Sequence, residues 1–145
     1  MGKVVIKEHT ADFEYEVYAD DLEELFLLAA KTLFRALADI EKVDKKIERI
    51  IELEADNIDM LLHSFLDELL FLWHTENILF SDFSIKISKK QNKLRLIAKC
   101  FGEYYNNNKH SLRLDVKAVT WHNFEIKKKI EEGKEVYYVD VTLDI

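Results

Sequence analysis

The groups in this sequence that could act together chemically lie near its two ends. His9-Thr10-Ala11-Asp12 stands between two strand-like stretches, and the last residues run Val139-Asp140-Val141-Thr142-Leu143-Asp144-Ile145. A histidine and an aspartate three residues apart in a connecting segment can bind a metal, move a proton or satisfy a turn. Asp and Thr both bond readily to nearby backbone in loops. Asp144 and the carboxylate of Ile145 put two anionic oxygen groups one residue apart. If a sheet brings Asp12 beside them, three carboxylates converge, which is costly unless protons or a cation compensate. Hard oxygen ligands without cysteine or convergent histidine favour Ca²⁺, Mg²⁺ or Mn²⁺ over zinc. The plainer alternative is a frayed terminal residue beside a solvated aspartate.

Other reactive residues say less. His63 and His74 lie eleven residues apart on one expected helix, too far to share a metal, and surface or helix-end roles are expected. His110 and His122 flank an expected strand from Leu112 to Thr120. Cys100 is the single cysteine, so no intramolecular disulfide can form. It ends the apolar-rich run from Leu94 and reads as a small buried hydrophobe. There is no Gly-rich phosphate loop, CxxC pair, HExxH or GxSxG.

Positioning any of these groups requires a folded domain, and the composition allows one. The 145 residues are 48% hydrophobic and 12% aromatic, the size and composition of one domain spanning 1–145. The net charge is −7, from 28 acidic and 21 basic side chains. An acidic field repels phosphates, so a protein or metal partner suits the chain better than RNA. The basic runs Lys86, Lys89, Lys90, Lys93 and Lys127, Lys128, Lys129 read as solvated faces. Met1 to Glu8 lacks a signal-peptide hydrophobic region, and no stretch approaches membrane-spanning length. A cytoplasmic location is expected.

Two helices are legible. The first opens at Asp20-Asp21 and runs to about Ala38; Asp21 and Glu24 have capping-box spacing. Leu22, Leu25, Phe26, Ala29, Leu33 and Leu37 then form an apolar stripe. The second runs from about Ile58 to Glu76, with a wide apolar face from Ile58 to Trp73 and with Asp59, Ser64, Asp67 and Glu68 toward water. Strands are expected at 13–19, around Ile47 to Leu53, at 83–88 and at 94–100, where side chains alternate. Lys90-Gln91-Asn92-Lys93 reads as a hairpin turn between the last two. Glu131-Glu132-Gly133-Lys134 reads as another, between strands at 117–129 and 135–143. The sum is an α+β fold: a mostly antiparallel β-sheet sandwich layer covered by two α-helices.

At this point the chain resembles the archease family. His9-Thr10-Ala11-Asp12 is similar to the family's HTAD signature, and Asp21 to Phe26 with Ala29-Ala30 and Leu33-Phe34 to its first helix. Leu66-Asp67-Glu68-Leu69-Leu70 is similar to a WLNELL-like string in its second. Gly102-Glu103, then Lys109-His110, resembles the segment before its last strands. Val116 to Phe124 resembles its VKAVTYH segment, and the terminal Asp144-Ile145 fits as well. Phe13-Glu14 stands where the family often has Ile-Gly, and Trp121 where tyrosine is commoner, an exchange expected to keep a buried ring.

The resemblance implies a protein cofactor of an RtcB-type RNA ligase, which seals tRNA halves after intron removal, rather than an enzyme. It implies faster guanylylation of the ligase histidine, multiple turnover and broader nucleotide use. By position it carries over the ligands of a divalent metal to Asp12, Asp144 and the Ile145 carboxylate, with Ca²⁺ ahead of Mg²⁺ or Mn²⁺. The alternatives are a stand-alone metal-dependent hydrolase using His9 and Asp12, or a general chaperone or RNA-processing accessory protein. No stable direct nucleic acid binding and no membrane partner are expected.

Overall fold

The computed structural model describes residues 2–8 and 12–145, so His9, Thr10 and Ala11 of the HTAD string lie outside the described residues. Strands β1 (Lys3–Glu8) and β2 (Asp12–Ala19) lead into helix α1 (Leu22–Leu37). Strand β3 (Ile47–Ala55) and helix α2 (Ile58–Glu76) follow, then β4 (Ile78–Lys90) and β5 (Lys93–Tyr104). The chain ends with β6 (Ala118–Val119), β7 (Lys127–Glu131) and β8 (Lys134–Asp144).

Local chemistry accounts for the helix ends. Asp21 caps α1 by accepting the Glu24 amide at 2.8 Å, and the Glu24 carboxylate accepts the Asp20 amide at 2.9 Å. The expected capping box is therefore present, with its return arm one residue further back. Asn57 caps α2 by accepting the Met60 amide, and left-handed Asn77 ends it, as a helix C-terminus favours. Both expected hairpin turns form. Gln91-Asn92 and Glu132-Gly133 have positive φ at both central residues, the condition for turns that match strand twist.

The strands make two antiparallel sheets, one ordered β1-β2-β8-β6 with β7 also pairing β8, the other β3-β5-β4. Both helices contact strands of both sheets, so one apolar core forms around them. That is the expected class, with two sheets where the pattern suggested one layer. Phe26, Phe34, Phe65 and Phe80 are fully buried, and Phe34 meets Phe80 edge to face, a favoured aromatic geometry. Tyr15 is also fully buried and donates to the Ala29 carbonyl at 3.0 Å, tying β2 to α1. Cys100 is the expected buried hydrophobe; burial pushes its thiol up to about 12. No helix among the described residues is long and apolar enough to cross a membrane.

The region after β5 departs from expectation. The expected strand from Leu112 to Thr120 is only a bridge of Leu112 to Ala38 and the two residues of β6. The expected strand at 117–129 is split into β6 and β7 by residues 120–126. The cause lies on α2. Asp59, expected to face water, accepts the Ile126 amide at 2.8 Å and holds the chain away from the sheet there.

Candidate functional site

Asp12 opens β2 and Asp144 closes β8, and the two are direct partners in the antiparallel register. The pairing is dictated from the middle of the strands. Tyr15, Val17 and Ala19 of β2 and Val139, Val141 and Leu143 of β8 are all buried. A one-residue slip would turn both rows out into water. The same register puts Asp12, Glu14, Glu16 and Tyr18 on the opposite face with Asp144, Thr142, Asp140 and Tyr138. Ala118 pairs Asp144 from the other side, and the Lys117 amide donates to the Asp144 carbonyl at 2.7 Å.

Directly opposed side chains have Cβ atoms about 5 Å apart, and like charges in that relation are destabilising. Asp12 is half-buried and Asp144 exposed, so both carboxylates remain within reach of solvent ions. Ile145, next in the chain, packs against the core. Carboxylate oxygens are the ligands that a hard divalent cation prefers. Among the described residues no group of three or more His, Cys, Asp or Glu side chains is placed to hold a metal. The register pair contributes two such side chains. His9 lies outside the described residues.

Further along the same face, Glu16 accepts from Lys7 Nζ at 2.8 Å and from the Tyr138 hydroxyl at 3.0 Å. Burial pushes the Glu16 carboxyl up, but the Lys7 and Tyr138 hydrogen bonds outweigh it and hold the group below its ordinary value. The basic runs lie on exposed strand ends. Lys128 is near Glu135, and Lys129 sits over the Tyr138 ring.

The histidines divide. His74 is at a helix end as expected, with Nε2 2.8 Å from the Val116 carbonyl. His63 is not at the surface: it is 4% exposed, with Nε2 3.0 Å from the Val119 carbonyl and Nδ1 3.2 Å from Asp67. A carbonyl can only accept, so Nε2 carries a hydrogen in each ring. Trp121 stacks on His63 with ring centroids 3.8 Å apart and planes 6° apart. Trp121 is 56% exposed, so the residue expected to be buried is presented outward. Asp59, His63 and Asp67, spaced four apart, were the signal for this arrangement. A polar row on a mainly apolar helix must serve something packed across it.

The fold and the acidic register pair define a compact α+β protein that carries a carboxylate edge. Residues 6–145 match the archease protein family (MTH1598/TM1083). The protein archease of Pyrococcus furiosus is 41% identical over 121 residues, covering 83% of this chain and 85% of the relative. That of Methanopyrus kandleri is 38% identical over 136 residues, covering 92% and 96%. The solution structure of Methanobacterium thermoautotrophicum protein 1598 superposes with a TM-score of 0.85 at 38% identity, covering 98% of each chain. The chain belongs to the archease family.

Proposed function

We propose that this archease is a non-enzymatic activator of an RtcB-type tRNA-splicing RNA ligase. It promotes guanylylation of the ligase histidine and multiple turnover, and it widens the nucleotides the ligase accepts. The supporting observation is the register pairing of Asp12 with Asp144, which gathers carboxylates at one solvent-accessible end of the sheet. Asp12, Asp144 and the Ile145 carboxylate would hold a divalent cation, Ca²⁺ ahead of Mg²⁺ or Mn²⁺. When bound, such a cation offsets the repulsion between the carboxylates and offers exchangeable coordination positions. The chain's own part is to hold these oxygens at a rigid strand end. There they meet either a metal at the ligase nucleotide site or a basic patch around it, because ion pairing and ligand exchange use the same exposed oxygens.

The place of action is the cytoplasm, and the net charge of −7 favours a protein partner over RNA. The test counts ligation events per ligase with excess RNA ends, GTP and divalent metal, with and without this protein. Many turnovers only in its presence support the proposal. Unchanged turnover with a competent ligase would overturn it and favour a stand-alone hydrolase.

A further inference from the structure

Residues 120–126 leave the sheet edge between β6 and β7, and a cavity of about 510 Å³ opens over the middle of β8. Trp121, Asn123, Glu125, Lys127, Tyr138 and Asp140 help to line it. Asp140 Oδ1 is buried there without a hydrogen-bond partner. An unsatisfied buried acceptor is costly, more so on a carboxylate. The Tyr138 hydroxyl donates to Glu16, the cross-strand partner of Asp140, and also interacts with the Asp140 carboxylate, and Lys7 serves Glu16, yet Asp140 Oδ1 itself stays without a donor. Lys127 lies 3.7 Å from Glu125, and both side chains are well exposed. Thr142, two residues along the same face and 3% exposed, has an unpartnered hydroxyl oxygen as well. A hydroxyl can donate as well as accept, so the Asp140 oxygen is the group there that calls for a donor.

The aromatic wall is preset. Trp121 is held by its stack on His63 and by the edge of Phe124, 5.6 Å between centroids. His63 is fixed by Val119 and Asp67, and Asp59 fixes the far end of the loop at Ile126. An exposed aromatic in a locked position beside an unpaired carboxylate oxygen suits a planar group that only donates. A guanidinium is such a group, stacking on rings while pairing with carboxylates, whereas an ammonium cannot do both as well. Phosphate is disfavoured by Asp140, Glu16 and Glu125.

We infer that this cavity receives the guanidinium of an arginine presented by a protein partner. Asp140 and Asp144 share a strand face four residues apart, about 13 Å. An arginine held at Asp140 therefore sets the partner's surface over the carboxylate edge. In that last point alone the inference rests on the ligase reading.

The two tryptophans, Trp73 and Trp121, give two indole N–H signals in nuclear magnetic resonance. The test titrates the protein with the capped peptide Gly-Arg-Gly, its lysine counterpart and guanosine. The expected result is a saturable shift of the Trp121 indole with the arginine peptide, and binding of the lysine peptide at least fivefold weaker. Asp140→Asn, followed by the Trp121 indole, and Trp121→Ala, followed by the backbone amides of Asn123 and Lys127 that line the same cavity, should each weaken arginine binding at least fivefold, while Asp12→Ala binds it as the unaltered protein does. No saturable shift, or equal binding of lysine or guanosine, would overturn the inference and leave the ligase proposal standing. Arginine binding by a protein that leaves ligase turnover unchanged supports the pocket and overturns the ligase proposal.

Discussion

Asp12 and Asp144 face each other across the pairing of β2 with β8, at the strand ends where neither is deeply buried. Opposed like charges cost a few tenths to about 1 kcal/mol, so a cation bound there adds stability. Calcium at about a hundred times its dissociation constant should raise stability by about 2.7 kcal/mol, on the order of 8 °C in melting temperature. Asp12→Asn and Asp144→Asn should melt at or slightly above the unaltered protein without metal, show no calcium-dependent rise, and fail to stimulate the ligase. Scanning fluorimetry with and without chelator, beside the turnover assay, checks this. A variant that stimulates normally would remove that residue from the site.

Glu103, buried near the end of β5, joins two loops. It accepts the Asp44 amide at 2.8 Å and His110 Nε2 at 3.0 Å, and pairs Lys109 at 2.6 Å. His110 Nδ1 accepts the Asn106 amide, so Nε2 is the donor to Glu103. Burial pushes the Glu103 carboxyl up, but Lys109, the Asp44 amide and His110 outweigh it and hold it at about 2, against an ordinary 4.5. Its contribution is complete above 4.5 and is lost as pH falls from there toward 2. Glu103→Gln should lower stability by about 2 kcal/mol at pH 7, and urea unfolding at steps from pH 7 to pH 2 should show a flatter acid decline. An unaltered acid limb in the variant would show that other carboxylates govern it.

Gly102 lies against β4 where the register shifts between Phe80 and Asp82. A Cβ there would sit 1.9 Å from the Leu79 carbonyl oxygen. Backbone must move to admit it, and overpacking of this kind costs about 1–3 kcal/mol or more. Gly102→Ala should therefore melt lower by roughly 5–10 °C, measured by circular dichroism. An unchanged melting temperature would mean that β4 shifts freely at the bulge.

Asp21 acts locally, through the Glu24 amide. Asp21→Ala should cost about 1 kcal/mol and leave both ligase stimulation and calcium response intact, since it touches neither sheet edge. A loss of stimulation larger than the loss of folded protein would place α1 in the ligase contact.

What the sequence determined by itself is what depends on near neighbours. The apolar stripes from Leu22 to Leu37 and from Ile58 to Trp73, the caps at Asp21 and Asn57, and the turns at Gln91-Asn92 and Glu132-Gly133 follow from helical period, cap chemistry and positive φ. These signals act within a few residues, so the pattern carries them whole. The family resemblance, through the HTAD string and the terminal Asp144-Ile145, singled out Asp12, Asp144 and the Ile145 carboxylate, but whether they meet depended on how distant strands pair. Only the tertiary structure decided that Asp12 lies opposite Asp144, and the burial of the Tyr15 and Val141 rows is the reason. It likewise split the expected strand at 117–129. The Asp59 bond to the Ile126 amide and the His63 stack under Trp121 are contacts between α2 and a loop some sixty residues away. No local period encodes such contacts, because their energy is gained only once the core has brought the two segments together.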